Sequence, residues 1–313
     1  MEDVTDAAFR RLIASKGKPH VFFTEFTSAD GLVLAPESGQ KHLRRKLLYS
    51  DTEQPIVAQL FSAYPDRMER AAGIIRELGF DGIDINMGCP DKAIEKGRCG
   101  AAMMQYPELA RDIIRAAKRG GGGLPVSVKT RIGYRSNELE TWLPTLLAEG
   151  LAAVTIHART RNDMSDVPAR WETIQQAVAI RDAIQNPGGE ASRRTLIIGN
   201  GDVHDLTDAR TKVAETGCDG VMLGRAIYGN PWLFAEHIPT PHERVEALIE
   251  HLHLFDELLG DVVNYATMKK HFKAYISGWD NAKDLRMQLM ETESVEEAVK
   301  ILLSIGDARM SIV

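Results

Sequence analysis

Short runs of apolar, mostly β-branched residues alternate along the chain with longer stretches in which apolar positions recur every three or four residues, as far as residue 238. The short runs fall at 21–24, 56–60, 82–85, 126–129, 153–156, 196–199 and 220–223. Each has the length of a strand and is too short for a helix. Between them lie helical stretches such as 66–78, 107–119, 170–184 and 205–216. Pro107 stands near one helix start, where its missing N–H does no harm. Strands alternating with helices of this length predict a parallel sheet. Seven strands over this span predict an α/β fold, a (β/α)8 TIM-type barrel with one strand unaccounted for. A doubly wound sheet is the alternative.

After Pro239-Thr-Pro241 the pattern changes. Residues 242–259, 265–276, 281–290 and 295–303 read as helices with no strand between them, and Val245, Leu248, Ile249 and Leu252 recur at helical spacing. The chain therefore divides into a barrel domain, 1–238, and a small C-terminal helical domain, 239–313. The glycines at 120–123 mark a loop before a strand.

Composition narrows the classes. Of 313 residues, 44% are hydrophobic and 26% charged, an ordinary globular balance. No apolar run approaches the ~20 residues that span a bilayer, and the acidic, polar start Met-Glu-Asp-Val-Thr-Asp is unlike a signal peptide. Neither a membrane nor a protein partner is implied, so the expectation is a monomer. Cys89, Cys99 and Cys218 form no Cys-x-x-Cys pair, which fits a reducing cytoplasm. The net charge of −6 requires that any nucleic-acid contact use local basic patches. Two clusters qualify, Lys41-His-Leu-Arg-Arg-Lys46 and Lys269-Lys-His-Phe-Lys273, with solvated helix faces as the alternative.

The densest chemistry is Asp-Ile-Asn-Met-Gly-Cys-Pro at 84–90. It sets a thiol in the loop after a strand, with Gly88 allowing unusual backbone angles and Pro90 stiffening the exit. Asn86 offers both a donor and an acceptor. A tight turn with an incidental thiol is the competing reading. In barrel enzymes the chemistry sits at the C-terminal strand ends. Those ends carry Gln59, Asn86 and Cys89, Lys129 and Arg131, His157, Asn200-Gly201-Asp202, and Gly224-Arg225. Each alone has a bland reading as a local hydrogen-bonder, a solvated charge or a core histidine. Together they converge on one rim. The last two turns, Gly-Asn-Gly-Asp at 199–202 and Leu-Gly-Arg at 223–225, suggest a phosphate site of backbone N–H groups plus Arg225. Lys129 and His157 would then face the ring of a phosphorylated cofactor, where such groups stabilise an anionic reduced flavin.

These residues resemble the tRNA-dihydrouridine synthase family of FMN enzymes over nearly the whole chain. The resemblance rests on Met1-Glu-Asp-Val-Thr-Asp6 with Phe9-Arg10, Gln59-Leu-Phe, the 84–90 motif followed by Gly97-x-x-Gly-Ala, Val128-Lys-Thr-Arg-Ile-Gly133, Ile156-His-x-Arg-Thr160, Gly199-Asn-Gly-Asp202, Gly224-Arg225, and Met268-Lys-Lys-His-Phe-x-x-Tyr275. It implies that Gln59, Lys129 and His157 hold FMN, with Met1 and Glu2 beside them, and that Asn200, Gly201, Asp202, Gly224 and Arg225 hold its phosphate. It implies that Asn86 and Arg131 face a tRNA uridine, that Cys89 is the general acid, and that Lys269, Lys270 and Lys273 contact tRNA. NADPH or NADH would be the reductant.

Two departures stand out. The family's first strand normally runs into an Ala-Pro-Met turn, whereas this sequence begins at the Met, so that strand is expected to be missing. The family more often has Gly after the histidine and a Gly/Tyr-containing loop, whereas here Ala158 follows His157 and the loop reads Arg-Thr-Arg-Asn-Asp-Met-Ser-Asp-Val-Pro. The competing functions are an FMN barrel oxidoreductase acting on a small free pyrimidine or enone, and a tRNA-binding protein inactivated by the missing strand. Cys99 reads as incidental.

Overall fold

A computed structural model describes residues 1–185 and 194–309. The end of the proposed helical domain, 310–313, lies outside the described residues. The chain forms two compact units, one of Phe26–Leu43 and Pro55–Arg225, the other of Met1–Glu25, Arg44–Gln54 and Ala226–Val313.

The first unit is built on parallel strands. A two-residue strand β1 (Phe22–Phe23) belongs to the other unit. Within the α/β unit lie β2 (Thr27–Ser28), β3 (Ile56–Phe61), β4 (Gly82–Met87), β5 (Val126–Arg131), β6 (Ala153–His157), β7 (Leu196–Asn200) and β8 (Gly220–Met222). They pair in that order, all parallel, as a curled sheet of the TIM-barrel class. Hydropathy gives seven strands, and the structure adds β2, whose two residues are too few to show alternation. Among the described residues no ladder joins β2 to β8.

Alternation along the strands separates two chemistries. One face carries Ile83, Ile85, Val128, Val154, Ile156 and Ile197, all fully or nearly fully buried. The opposite face carries Gln59, Asp84, Asn86, Ser127, Lys129, Arg131, Thr155, His157 and Asn200. A parallel sheet with one face so polar is equipped for a site, because burying these groups costs free energy unless they find partners. The connecting helices include Pro65–Glu77 and Pro107–Gly121, each with proline in the first turn, and Leu139–Leu147, Glu172–Gln185 and Leu206–Thr216.

The second unit is helical. Ala7–Lys16 is capped by Asp6, whose carboxylate accepts from Phe9 N at 2.9 Å. Pro241–Leu259 opens on a Thr240/Glu243 capping box. Its buried face is Ala247, Leu248, His251, Leu252, Phe255 and Leu259, so Val245 and Ile249 of the predicted stripe lie only at the margin. The helix predicted over 265–276 is interrupted. Asn264 accepts from Ala266 N, a single tight turn follows at Tyr265–Thr267, and the helix proper is Lys269–Tyr275. Ala282–Glu291 and Val295–Arg309 complete the unit. No helix among the described residues is long and apolar enough to cross a membrane.

Two histidines lie in this apolar core. The His251 and His271 rings are 4.6 Å apart at 78°, flanked by Phe9, Tyr228 and Tyr275. Burial, aided by Lys270, holds His271 neutral, with its pKa lowered to about 4. An imidazole that stays neutral in the fold but titrates near 6.5 once unfolded contributes stability above that pH. The contribution is lost as pH falls from about 6.5 towards 4. The loss can reach about 3 kcal/mol, since each pKa unit is worth about 1.36 kcal/mol. His271→Phe is therefore expected to flatten the fall in the urea midpoint between pH 7.5 and pH 5. An unchanged slope would assign the acid sensitivity elsewhere.

Candidate functional site

At the C-terminal ends of β3, β4 and β5 the polar side chains form a connected relay. Gln59 Nε2 donates to Asp84 Oδ2 at 2.7 Å, and Asn86 Nδ2 donates to Gln59 Oε1 at 3.0 Å. Asn86 Oδ1 then accepts from the backbone N–H groups of Gly88 and Cys89, at 3.1 and 2.9 Å. Ser127 Oγ donates to the other oxygen of Asp84 at 2.6 Å. Strand register sets these partners, since Gln59 is opposite Asp84, Asp84 opposite Ser127, and Asn86 opposite Lys129.

The loop bearing Cys89 is held from several directions. Arg131 Nε donates to Gly88 O at 2.9 Å, and its Nη1 donates to the carbonyls of Thr160 and Met164, each at 2.9 Å. Ala101 N donates to Cys89 O at 2.8 Å. Gly100, at φ +59°, permits this contact, because a Cβ there would sit 2.5 Å from the same carbonyl. Gly88 serves for another reason than the unusual backbone angle predicted from sequence. Its φ is ordinary, but a Cβ would press within 3.2 Å of the Thr130 backbone on β5. Beyond the thiol, Asp91 caps the short helix Lys92–Lys96, and Glu95 of that helix pairs with Arg161 through Nε at 2.8 Å.

Electrostatics keep this thiol protonated. Burial pushes the Cys89 pKa up from its ordinary value, so at neutral pH the sulfur carries a proton it can give. Burial likewise raises Asp84 to about 6, against the hydrogen bonds from Ser127 and Gln59. Burial, then the nearby Arg131 guanidinium, lowers Lys129 to about 8, which leaves it mainly cationic at pH 7. Cys99 is buried, donates to Gly97 O and is pushed up to about 12, an inert thiol.

A second cluster occupies the ends of β6, β7 and β8. Arg159 Nη1 lies 3.0 Å from His157 Nε2, and Arg159 Nη2 pairs with Asp202 at 2.5 Å. A guanidinium only donates, so His157 Nε2 must be the acceptor and the ring proton must sit on Nδ1. Burial, then Lys129, Arg131 and Arg159, depresses the His157 pKa to about 2, so the ring is neutral. Asp202 also accepts from Ala169 N at 2.9 Å and from Arg225 Nη2 at 2.7 Å. Burial opposes its ionisation, but the Ala169 N–H and Arg159 hold the carboxyl below its usual range. Trp171 Nε1 fixes Gly201 O, and Asn200 Nδ2 reaches Met222 O. Gly224 lies between β8 and the turn Arg225–Ile227, with the Arg225 side chain 69% exposed.

Gln59, Asn86, Cys89, Lys129, Arg131, His157, Asn200, Gly201, Asp202, Gly224 and Arg225 thus share the strand ends of one unit. The other five predicted residues belong to the helical unit. Met1 is exposed, its ammonium donating to Thr5 Oγ1 at 2.6 Å, and Glu2 pairs with Lys46. Lys269 Nζ donates to Met290 O at 2.8 Å, Lys270 pairs with Asp3 at 2.9 Å, and Lys273 is exposed. Sequence reasoning gave no role to Asp84 and Ser127, which anchor Gln59, or to Arg159, which joins His157 to Asp202. The signal for Asp84 was its place two residues before Asn86, on the same strand face.

The donor set suits an anionic, phosphorylated group. Lys129, Arg131, Arg159 and Arg225 gather at these strand ends, where Asp84 acts on Lys129, Asp163 on Arg131, and Asp202 pairs with both Arg159 and Arg225 at the open end.

The chain is similar to known proteins over almost its whole length. A probable tRNA-dihydrouridine synthase of Staphylococcus aureus (strain COL) is 39% identical over 315 residues, covering 99% of this chain and 92% of that protein. The probable tRNA-dihydrouridine synthase 2 of Bacillus subtilis (strain 168) is 38% identical over 307 residues, covering 96% and 91%. Among solved structures, histamine dehydrogenase from Rhizobium sp. 4-9 shares the fold, with a TM-score of 0.54 at 13% identity over 80% of this chain and 47% of that one. The model of the family described as dihydrouridine synthase (Dus) matches residues 1–309, and with relatives this similar over almost their whole length the chain belongs to the dihydrouridine synthase family.

Proposed function

We propose that this chain reduces specific uridines of tRNA to 5,6-dihydrouridine with FMN as its resident cofactor. The observation that carries the proposal is the position of Cys89, whose backbone N–H is tied to Asn86 Oδ1 after β4, with burial raising its thiol pKa and Arg131 and Lys129 near enough to act on it. When bound, FMN supplies the hydride for C6 of the uracil, recharged by NADPH or NADH. The chain supplies the rest. Cys89 gives its proton to C5, because adding hydrogen across a double bond needs an acid on the carbon that the hydride leaves electron-rich. Asn86 and Arg131 are the proposed groups on the uracil side, with Arg131 also bracing the loop that carries the thiol. Gln59, Lys129 and the Nδ1–H of His157 are the proposed contacts to the ring system. A cationic lysine there favours a developing negative charge, and a neutral imidazole offers a donor without a second full charge. Backbone at Asn200–Asp202 and Gly224, with Arg225, is the proposed phosphate cradle. A uridine stacked within folded tRNA has to be extruded to reach this depth. A cytoplasmic setting fits such a substrate.

The test is reduction of uridine in tRNA and of free uridine by the purified, NADPH-reduced protein. Dihydrouridine formed in tRNA alone supports the proposal, and comparable turnover of free uridine would replace it with a small-molecule reductase. Lys269, Lys270 and Lys273 are the proposed tRNA phosphate contacts in the helical domain 239–313. Changing all three to Ala is expected to flatten the salt dependence of tRNA binding by up to about 0.7–0.9 log unit per lost contact, with flavin reduction by NADPH unaltered. An unaltered salt slope would assign these lysines to a solvated helix face.

A further inference from the structure

We propose that Asp84 is a positioning residue for the Cys89 thiol, acting through Gln59 and Asn86. The proposal rests on the reading of Cys89 as the acid, and its geometry is independent of that reading.

Asp84 sits at one end of a hydrogen-bond chain with a fixed polarity. A carboxylate only accepts, so Gln59 must turn its Nε2 towards Asp84 and its Oε1 away. That oxygen can only receive the Nδ2 of Asn86, which leaves Asn86 Oδ1 facing the N–H groups of Gly88 and Cys89. Those N–H groups only donate. The relay therefore runs from an acceptor-only end to a donor-only end through two amides, and one orientation satisfies every member. Its three side chains are nearly or fully buried, with exposures of 0% for Asp84, 7% for Gln59 and 8% for Asn86. Water is a poor substitute at that depth, so a lost partner leaves an unsatisfied group. A carboxylate in this place carries an evident cost. Asp84 has no salt bridge among the described residues, and the Lys129 charge acts on it only through space. An apolar side chain at 84 would avoid that cost and would remove the oxygen that accepts from Gln59 Nε2. The consequence reaches the thiol because Asn86 Oδ1 is the group that ties the Cys89 backbone to β4.

The experiment measures alkylation of Cys89 by iodoacetamide from pH 6 to 10, followed by peptide mass spectrometry on the purified full chain, with Cys99 as an internal control. In Asp84→Asn the new amide can accept from Gln59 and donate to Ser127 Oγ, whose hydroxyl rotates. This variant is expected to match the parent within about twofold. Asp84→Ala is expected to free the loop, move the Cys89 titration towards that of an ordinary thiol, and raise its alkylation at pH 7 by about tenfold, as a downward shift of about one pKa unit would. Gln59→Met cuts the same relay without touching Asp84 and is expected to behave like Asp84→Ala, which covers the case in which the alanine variant does not fold. Wild-type alkylation in the relay-breaking variants, or equal acceleration of Cys89 and Cys99, would overturn the proposal, the second by showing general loosening. Because the readout needs no turnover, it stays distinct from the acid reading. That reading fails if Cys89→Ala turns over normally, whatever the alkylation shows.

Discussion

Replacing Cys89 by alanine is expected to lower dihydrouridine formation by about 10² or more, the usual loss when a general acid is removed. The protein should stay folded and yellow, and NADPH should still reduce its flavin at the parental rate. The side chain is only partly buried, and the loop is held by backbone contacts from Asn86, Arg131 and Ala101 that do not involve sulfur. Stopped-flow absorbance separates the two half-reactions. Loss confined to the tRNA half supports the acid role, whereas equal turnover by the mutant would end it. Cys99→Ala is the paired control. Its thiol is buried and held protonated up to about 12, so product formation should not change.

Arg10→Met is expected to destabilise the helical unit by about 3–5 kcal/mol, the range for removing one partner of a buried ion pair. Arg10 and Glu53 are 1% and 0% exposed and meet at 2.8 Å. Arg10 also donates to the carbonyls of Thr5 and Leu48, at 2.8 and 2.5 Å. The methionine fills much of the space and leaves both carbonyls and a buried carboxylate without the guanidinium. The pair alone is weak grounds for stability, since two buried charges cost nearly as much desolvation as they regain. Adding Glu53→Leu to Arg10→Met should therefore recover part of the loss. Urea midpoints of the parent, both single variants and the double variant close the cycle. A double variant as unstable as the sum of the singles would show that Arg10 acts through the carbonyls rather than through Glu53.

The seven strands that could be read from sequence were legible because the longer ones carry a mainly apolar face. Val126 and Val128, or Ile83 and Ile85, mark β5 and β4 whatever stands between them. Strand ends came out one or two residues short where the last position is polar, as at Arg131 and His157. The helix Leu139–Leu147 went unpredicted because Pro144 lies inside it and removes a helical hydrogen bond. Burial of Leu139, Trp142, Leu143, Leu146 and Leu147 outweighs that loss. The helices Ala29–Leu34 and Lys92–Lys96 are too short for periodicity to register. At the site, the residues that end strands could be read directly. Asp84–Ser127 and Arg159–Asp202 could not, since each pair is 43 residues apart in sequence and meets only through strand register.

The neutral imidazole of His157 bears on how rate measurements are interpreted. An inflection near pH 6 is by habit given to histidine, yet this ring, held at about 2, passes through the whole working range without gaining a proton. Within the strand-end site, the groups that change charge there are the Asp84 carboxyl near 6 and the Lys129 ammonium near 8. A bell-shaped profile would thus record a carboxyl on its acid limb and an amine on its alkaline limb. The temperature dependence of each limb would tell them apart, since carboxyl ionisation carries little enthalpy and ammonium ionisation a great deal.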